Sequence, residues 1–509
     1  MPINKRIVLG AAAVLALGAS SCKKFLNVNT NPNQSQTATV ETLLPGAELY
    51  VATSVGANLQ IVGSIWSQYW TQTPVASQYV TFEQFAPGQD AFSNAWSNLY
   101  SGAENLYQLA KLADTQHKRN YTAIALLLQA YTFQCITDGW DQAPFMQALK
   151  GQYSDGHLVN PKYDSQRVIY NGIIAYIDTA VSIINQALPL TPSTDDLIYG
   201  GDMTKWTKFA NTLKLKVLLR LSAVDPAGTQ AAIDSFYATN PVFIADGDDA
   251  AISSYGSNTA NKNPLNAEMT STTLNSIQNL AGSSTCIDSM NSNGDPRAYL
   301  FYTYLASSQA VVGIPQGKYD IKALPADYCI PTAYVGGNAS DDNSAKAPVN
   351  LISSWESYFL QAEVVARGWQ AQSSGMDDAQ LFDAGIAANF NYAPYATGLA
   401  DIWGPTALTD YTTGGGYWTI YPTGGSVADK IRFIITQKWF AMCGNQGFEA
   451  WTEWRRTGYP DFLVIPPHSF LGTNRPQRFL YPTSESTVNS NFPSSGVVPL
   501  TTNVWWDKL

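Results

Sequence analysis

A chain of 509 residues with a formal charge of −10 and no run of five basic residues is poorly suited to nucleic acid or to anionic lipid headgroups. Charged residues make up only 13% of it, against a usual ~25%, while hydrophobic residues reach 45% and aromatic residues 12%, with 14 Trp and 28 Tyr. Solubility therefore rests on Asn, Gln, Ser and Thr, and a polar, weakly charged, aromatic-rich surface suits neutral ligands such as sugars.

At the N-terminus, Lys5 and Arg6 precede an uncharged apolar run of 13 residues, Ile7 to Ala19. That is the form of a signal-peptide core, too short for the roughly 20 residues a membrane span needs. Gly18, Ala19, Ser20 and Ser21 then lead into Cys22, which resembles a bacterial lipobox: the thiol is alkylated by a diacylglyceryl group and the chain is cut before it. On this reading residues 1–21 are a lipoprotein signal peptide and Cys22 is a lipid anchor; a plain secretory signal with an incidental thiol is the alternative. Acyl chains contribute roughly 0.8 kcal/mol per buried methylene, so several chains give a durable tether where one gives a marginal one. Removing residues 1–21 takes away Lys5 and Arg6 and no acidic residue, moving the charge from −10 to −12. Any membrane attachment must then come from lipid. Residues 22–39, rich in Asn, Thr, Gln and Ser, read as a flexible tether.

From residue 40 to 509 the sequence reads as one helical domain. Trp96, Leu99, Tyr100, Ala103, Tyr107 and Ala110 recur at helical spacing, as do Ile169 to Leu188 and Trp206 to Leu221. Tyr121 to Ile136 is apolar nearly all round and is expected to be buried on several sides. Further helices are expected over Trp355–Gln372, Asp377–Phe390 and Ser426–Met442. Helix pairs joined by short polar turns predict an all-α scaffold of stacked, TPR-like hairpins. Two stretches, about 246–349 and 391–425, crowd Gly, Pro, Asn and Tyr without helical period and are expected to be long structured loops, usually functional in a compact protein.

Catalytic and metal-binding signatures are missing. There is no GxSxG, HExxH or GxxxxGK[ST], and the three histidines, His117, His157 and His468, are scattered. Cys135, Cys286, Cys329 and Cys443 lie far apart without a CxxC, which fits buried thiols better than a disulfide framework or a zinc site. No cofactor and no metal is expected. Asp138 with Asp141, and Glu449 with Glu453, are possible carboxylate pairs for glycoside hydrolysis, though structural hydrogen bonds and helix-surface charges account for them more simply.

A ligand site is sought where charge is absent. From Leu49 to Phe82 there is no Asp, Glu, Lys or Arg, and Trp66, Tyr69 and Trp70 stand beside Ser67, Gln68, Thr71 and Gln72, with Tyr79 following Pro74. Aromatic rings stack on the apolar faces of sugars, while amides and hydroxyls exchange hydrogen bonds with sugar hydroxyls. A second set, Tyr411, Tyr417 and Trp418, flanks Gly414, Gly415 and Gly416, where backbone can approach a ligand closely. Trp66, Trp70, Tyr79, Tyr411, Tyr417 and Trp418 are thus the candidate ligand-binding residues; Trp66 and Trp70, at i, i+4, read equally as a core stripe.

Five segments taken in order resemble the SusD/RagB family of outer-membrane lipoproteins from the Bacteroidetes: FLNVNTNPN from Phe25, ITDGWDQAPFMQAL from Ile136, KYDSQRVIYNGII from Lys162, WESYFLQAEVVARGW from Trp355 and IITQKWFAMCGNQGFEAWTEWRRTGYP from Ile434. RFLYPTSESTVNSN from Arg478 and the closing WWDK complete the resemblance, which runs from Cys22 nearly to Leu509. Within it Glu363 and Arg367 pair at i, i+4 on a helix whose apolar face is Trp355, Phe359, Ala362 and Ala366. The resemblance implies a SusD-like α-helical fold and a lipid-anchored outer-membrane protein exposed at the cell surface. It implies capture of a nutrient, commonly an oligosaccharide, for a SusC-like TonB-dependent transporter, and binding without cleavage. Lys23 and Lys24, in place of the acidic residues associated with surface export, leave open which side the anchor faces. A surface glycoside hydrolase or adhesin is the alternative reading, and the sequence does not name the nutrient.

Overall fold

The computed structural model describes residues 38–257, 260–274, 277–369 and 375–509. Cys22, the signal peptide and nearly all of the tether lie outside the described residues. About half of the chain is helical. The principal helices are α1 (Val40–Gly56), α2 (Asn58–Trp66), α3 (Ser93–Thr115), α4 (Arg119–Trp140), α5 (Gln166–Ile184), α6 (Met203–Arg220), α7 (Pro226–Tyr237), α8 (Ser354–Ala366), α9 (Asp378–Asn391), α10 (Ala393–Ile402), α11 (Val427–Met442) and α12 (Gly447–Thr457). Three short antiparallel ladders accompany them: β1 (Trp70–Gln72) with β5 (Leu280–Gly282), β2 (Ala143–Pro144) with β3 (Tyr163–Asp164), and β4 (Ala250–Ile252) with β6 (Val349–Ile352).

Local chemistry fixes where the helices begin. Asp202 accepts hydrogen bonds from the Thr204 and Lys205 amides at the start of α6, and the reciprocal boxes Asp377/Gln380 and Ser426/Asp429 open α9 and α11. Helices adjacent in sequence pack in pairs, α3 on α4, α5 on α4 and α6, and α8 on α9, and long-range contacts of α3 with α1, α8 with α11 and α12 with α2 join these pairs. This is the TPR-like scaffold that the periodicity predicts. Almost every residue of α4 is buried, as its all-round apolar pattern requires. Cys135, Cys286, Cys329 and Cys443 are all buried.

Two expectations change. The 391–425 stretch is not irregular: it holds α10 and the short helix Ala407–Thr413. Their Ala, Thr and Gly content gives no apolar stripe, and α10 buries chiefly Tyr395, Gly398 and Leu399, while Pro394 presets its first turn. Trp66 and Trp70 belong to the core. Trp66 is 3% exposed, its ring centroid 4.9 Å from that of Trp451 and 5.7 Å from that of Phe479, and its indole N–H donates to the Phe82 carbonyl at 3.1 Å. Trp70, fully buried, pairs with Gly282 in the β1–β5 ladder. Neither ring has a face left for a ligand.

Inside the helices runs a continuous set of ion pairs. From α6, Lys216 reaches Glu356 of α8 at 3.1 Å and Glu449 of α12 at 3.0 Å; Arg220 reaches Glu449 at 2.6 Å, Glu453, and Asp138 of α4 at 3.4 Å. Lys438 of α11 pairs with Glu453 at 3.1 Å, and Arg456 joins Glu453 at 2.8 Å to Glu363 of α8 at 2.6 Å. Glu363 also takes Arg367 at 2.7 Å, the i, i+4 pair read from the sequence. The C-terminal Trp506 completes the set, donating its indole N–H to Asp138 at 2.8 Å with its ring 5.5 Å from the Arg220 guanidinium and 4.9 Å from that of Arg455. Burial opposes ionisation of Glu363, but Arg456 and Arg367 hold its carboxyl down at about 2. Burial likewise opposes ionisation of Glu449, which Arg220, Lys216 and Lys438 keep below the usual range.

Buried pairs add little over a packed apolar core, but removing one partner strands its counter-charges, at a cost of about 3–5 kcal/mol. Arg220→Met should therefore lower the unfolding free energy by about that amount in a denaturant titration. The pH profile carries two opposed signs. The depressed glutamates Glu363, Glu449 and Glu453 stabilise the fold above the unfolded value of 4.5, and that contribution is lost as the pH falls toward 2. Glu83, buried against Gln72 and Gln316, is pushed by burial up to about 7, so its contribution is present below 4.5 and is lost as the pH rises through 7. The calorimetric melting midpoint should peak at about pH 5, and Glu83→Gln should flatten the decline between about pH 5 and 7.

Candidate ligand-binding site

The two stretches read as loops meet around one buried cation. Arg297, on the short helix Arg297–Phe301, is fully buried and grips Asp295 through Nε at 2.9 and 3.1 Å and Nη2 at 2.6 Å. Its remaining donors go to Asn389 of α9 at 2.9 Å and Gln437 of α11 at 3.2 Å. The guanidinium carbon lies 5.0 Å from the ring centroid of Phe390 and 5.2 Å from that of Tyr411. Tyr411 in turn accepts from Asn293 and Gln437, each at 2.8 Å. A charge buried with this many partners is stable only in one arrangement, so the loops it joins are held fixed.

Aromatic rings emerge from that support. Tyr299, two residues beyond Arg297, lies 5.9 Å from Trp403 and 6.5 Å from Tyr304, centroid to centroid. Trp403 is 44% and Tyr304 50% exposed, so three neighbouring rings meet solvent together. Trp403 directly follows α10, and Tyr334 packs on the middle of that helix because residue 398 is glycine: a Cβ there would sit 2.5 Å from the Tyr334 ring. Tyr334, Asp341, Asn343, Lys346 and Pro394 line a cleft of about 370 Å³. An aromatic wall beside amide, carboxylate and ammonium groups stacks on a sugar ring and exchanges hydrogen bonds with its hydroxyls.

The sequence-nominated residues do not gather into one site. Tyr79 is buried with its ring stacked on Phe82 at 6.2 Å, and its hydroxyl has no hydrogen-bond partner among the described residues. Burial pushes its phenol above the ordinary range. Tyr411 is buried in the Arg297 support. Tyr417 is 58% and Trp418 9% exposed, on a second surface where Arg432 lies 5.0 Å over the Trp418 ring and is fixed by Asp461 at 2.9 and 3.1 Å. The glycines between them serve the protein rather than a ligand: a Cβ on Gly416 would sit 2.4 Å from the Asn293 carbonyl oxygen. Tyr299, Tyr304, Tyr334 and Trp403 were not nominated from sequence. Their signal is weak, since they come from three places spread over about a hundred residues; the usable clue is aromatic residues recurring at Tyr299, Tyr302 and Tyr304 inside a loop-rich stretch.

The carboxylate pairs offer no hydrolytic constellation. Glu449 and Glu453 are engaged by Arg220, Lys216, Lys438 and Arg456, Asp138 by Tyr170, Trp506 and Arg220, and Asp141 by the Trp505 amide at 2.9 Å. No group of three or more His, Cys, Asp or Glu poised as metal ligands occurs among the described residues.

Solved structures share the fold over nearly their whole length. A chitin-binding protein aligns with a TM-score of 0.76 at 23% identity, covering 92% of this chain and 100% of its own. A chitin-binding SusD homolog from Flavobacterium johnsoniae aligns with a TM-score of 0.72 at 22% identity, covering 91% and 98%, and a SusD homolog from Bacteroides uniformis with a TM-score of 0.73 at 21% identity, covering 92% and 99%. No curated protein sequence matches the chain. The SusD-like family described as starch-binding and associating with the outer membrane matches residues 32–482. With a helical TPR-like frame carrying an aromatic loop face, and a match over most of its length, the chain belongs to this SusD-like family.

Proposed function

We propose that the protein is a cell-surface lipoprotein that captures a neutral oligosaccharide on the Tyr299–Tyr304–Trp403 face and delivers it to a SusC-like TonB-dependent transporter in the outer membrane. The observation that carries this reading is the set of three solvent-facing rings beside the Tyr334 cleft. The family is described as starch-binding and two proteins of similar structure as chitin-binding, which favours a glycan over a peptide. The low charge content points the same way, because neutral sugars need hydrogen bonds and stacking rather than counter-ions. Binding without cleavage fits the engagement of Asp138, Asp141, Glu449 and Glu453 by arginine and lysine side chains. Cys22 is the proposed lipid anchor, with residues 22–39 as the tether that lets the body cover a transporter. Tyr417 and the edge of Trp418 form a second, smaller aromatic surface, proposed as a further ligand contact.

Calorimetric titration of the mature protein with maltooligosaccharides and chitooligosaccharides tests the site. Trp403→Ala should weaken binding by roughly 1–3 kcal/mol with the melting midpoint moved by only about a degree, and Tyr417→Ala should weaken it less. Unchanged affinity in Trp403→Ala would remove the face from the reading, and release of shorter sugars would make the protein a hydrolase. For the anchor and the partner, native protein extracted in mild detergent should carry a β-barrel companion, since an obligate contact buries of order 2,000 Å² or more. Cys22→Ser should leave the membrane fraction and take up no labelled fatty acid; continued labelling would refute the anchor.

A further inference from the structure

The Tyr334 cleft does not end at Pro394. The same proline borders a second cleft, of about 480 Å³, lined by Tyr199, Lys205, Asp246, Asp249, Ser253 and Tyr392 among others. Pro394 sits in the first turn of α10 and lines both hollows. At the opposite end of the same helix is Trp403. Ten residues of helix span about 15 Å at 1.5 Å per residue, so the aromatic face and the second cleft are separated by more than a single sugar can bridge. Between them the solvent side of α10 carries the small residues Ala393, Thr397 and Ala400, followed by Asp401 and Ile402 next to Trp403.

The chemistry of the far cleft differs from that of the aromatic end. Lys205 is occupied, donating to the Gly247 carbonyl at 2.8 Å and pairing with Asp248 at 3.4 Å. Asp249 accepts from the Ser354 amide at 2.7 Å and hydroxyl at 2.9 Å, both through Oδ1. Neither Asp246 nor Asp249 has a cation partner among the described residues. Two carboxylates of this kind accept hydrogen bonds from neighbouring sugar hydroxyls and repel anionic sugars.

We infer that the glycan site is an extended groove, running from the Trp403 face along α10 and over Pro394 into the Asp246–Asp249 cleft, and that its ligand is a long, non-anionic oligosaccharide whose far end is held by those carboxylates. The inference rests on the reading of the aromatic face as the glycan site and adds to it a length requirement and a second set of contacts in the far cleft.

A length series decides it. Chitooligosaccharides and maltooligosaccharides from dimer to heptamer are titrated calorimetrically into the wild type, Asp246→Ala, Ser253→Trp, which fills the far cleft from an exposed position, and Trp403→Ala. Affinity in the bound series should rise roughly tenfold or more between trimer and hexamer, and Asp246→Ala and Ser253→Trp should each remove most of that gain while leaving trimer binding and the melting midpoint unchanged. Trp403→Ala should weaken every length. If Trp403→Ala weakens binding while affinity is flat beyond the trimer and both cleft variants bind as the wild type, the groove is overturned and the aromatic site stands. If Trp403→Ala also has no effect, or the wild type binds neither series, the underlying reading falls with it.

Discussion

Everything in this structure depends on how a protein with few charges disposes of them. Lys216, Arg220, Lys438, Arg455 and Arg456 are all buried, and so are Asp138, Glu356, Glu363, Glu449 and Glu453. Each would be prohibitive alone, and their mutual geometry is what makes them tolerable. Because the partners come from α4, α6, α8, α11 and α12, those helices can dock in only one register: a shift by one turn strands several charges at once. Packed apolar side chains would supply comparable stability with less specificity, and here the network selects one arrangement of many similar amphipathic helices.

The same device recurs, smaller, where the ligand face is built. Arg297 with Asp295 gathers α9, α11 and the helix Ala407–Thr413 under loops that would otherwise be free to move. A platform fixed in advance loses little entropy when a ligand stacks on it, which supports the proposal that the aromatic face binds a glycan. The scaffold and the loop support therefore both hold buried ion pairs inside an otherwise apolar, aromatic-rich core. Most of the tryptophans are buried there, so composition alone, with 14 Trp and 28 Tyr, does not say which rings meet a ligand.

Much of the scaffold was legible because it is periodic. Trp96, Leu99 and Ala103 in α3 and Ile169, Ile173 and Ile177 in α5 repeat the helical interval and are all buried. The Glu363–Arg367 pair was legible for the same reason, being four residues apart, whereas its stronger partner Arg456 is 93 positions away and left no local trace. The short helix α10 was missed because only a few of its residues face inward, too few to set a period. At the site, a tryptophan four residues from another is what both a core stripe and a binding platform look like. Trp66 and Trp70 proved to be the former because Trp451, Phe479 and the β1–β5 ladder close over them. Tyr299 and Trp403 meet only through the fold, and no local pattern records such a meeting.

The division of labour is then between a charge-locked helical frame and the aromatic face proposed to hold the glycan. A crystal structure of the mature protein soaked with the longest neutral oligosaccharide that it binds tests this most directly. The account predicts sugar density stacked on Trp403 and Tyr299 and running along α10 toward Pro394, with the Arg297 and Arg220 ion pairs unmoved. Density seated elsewhere on the molecule, with Trp403 and Tyr299 bare, would contradict it.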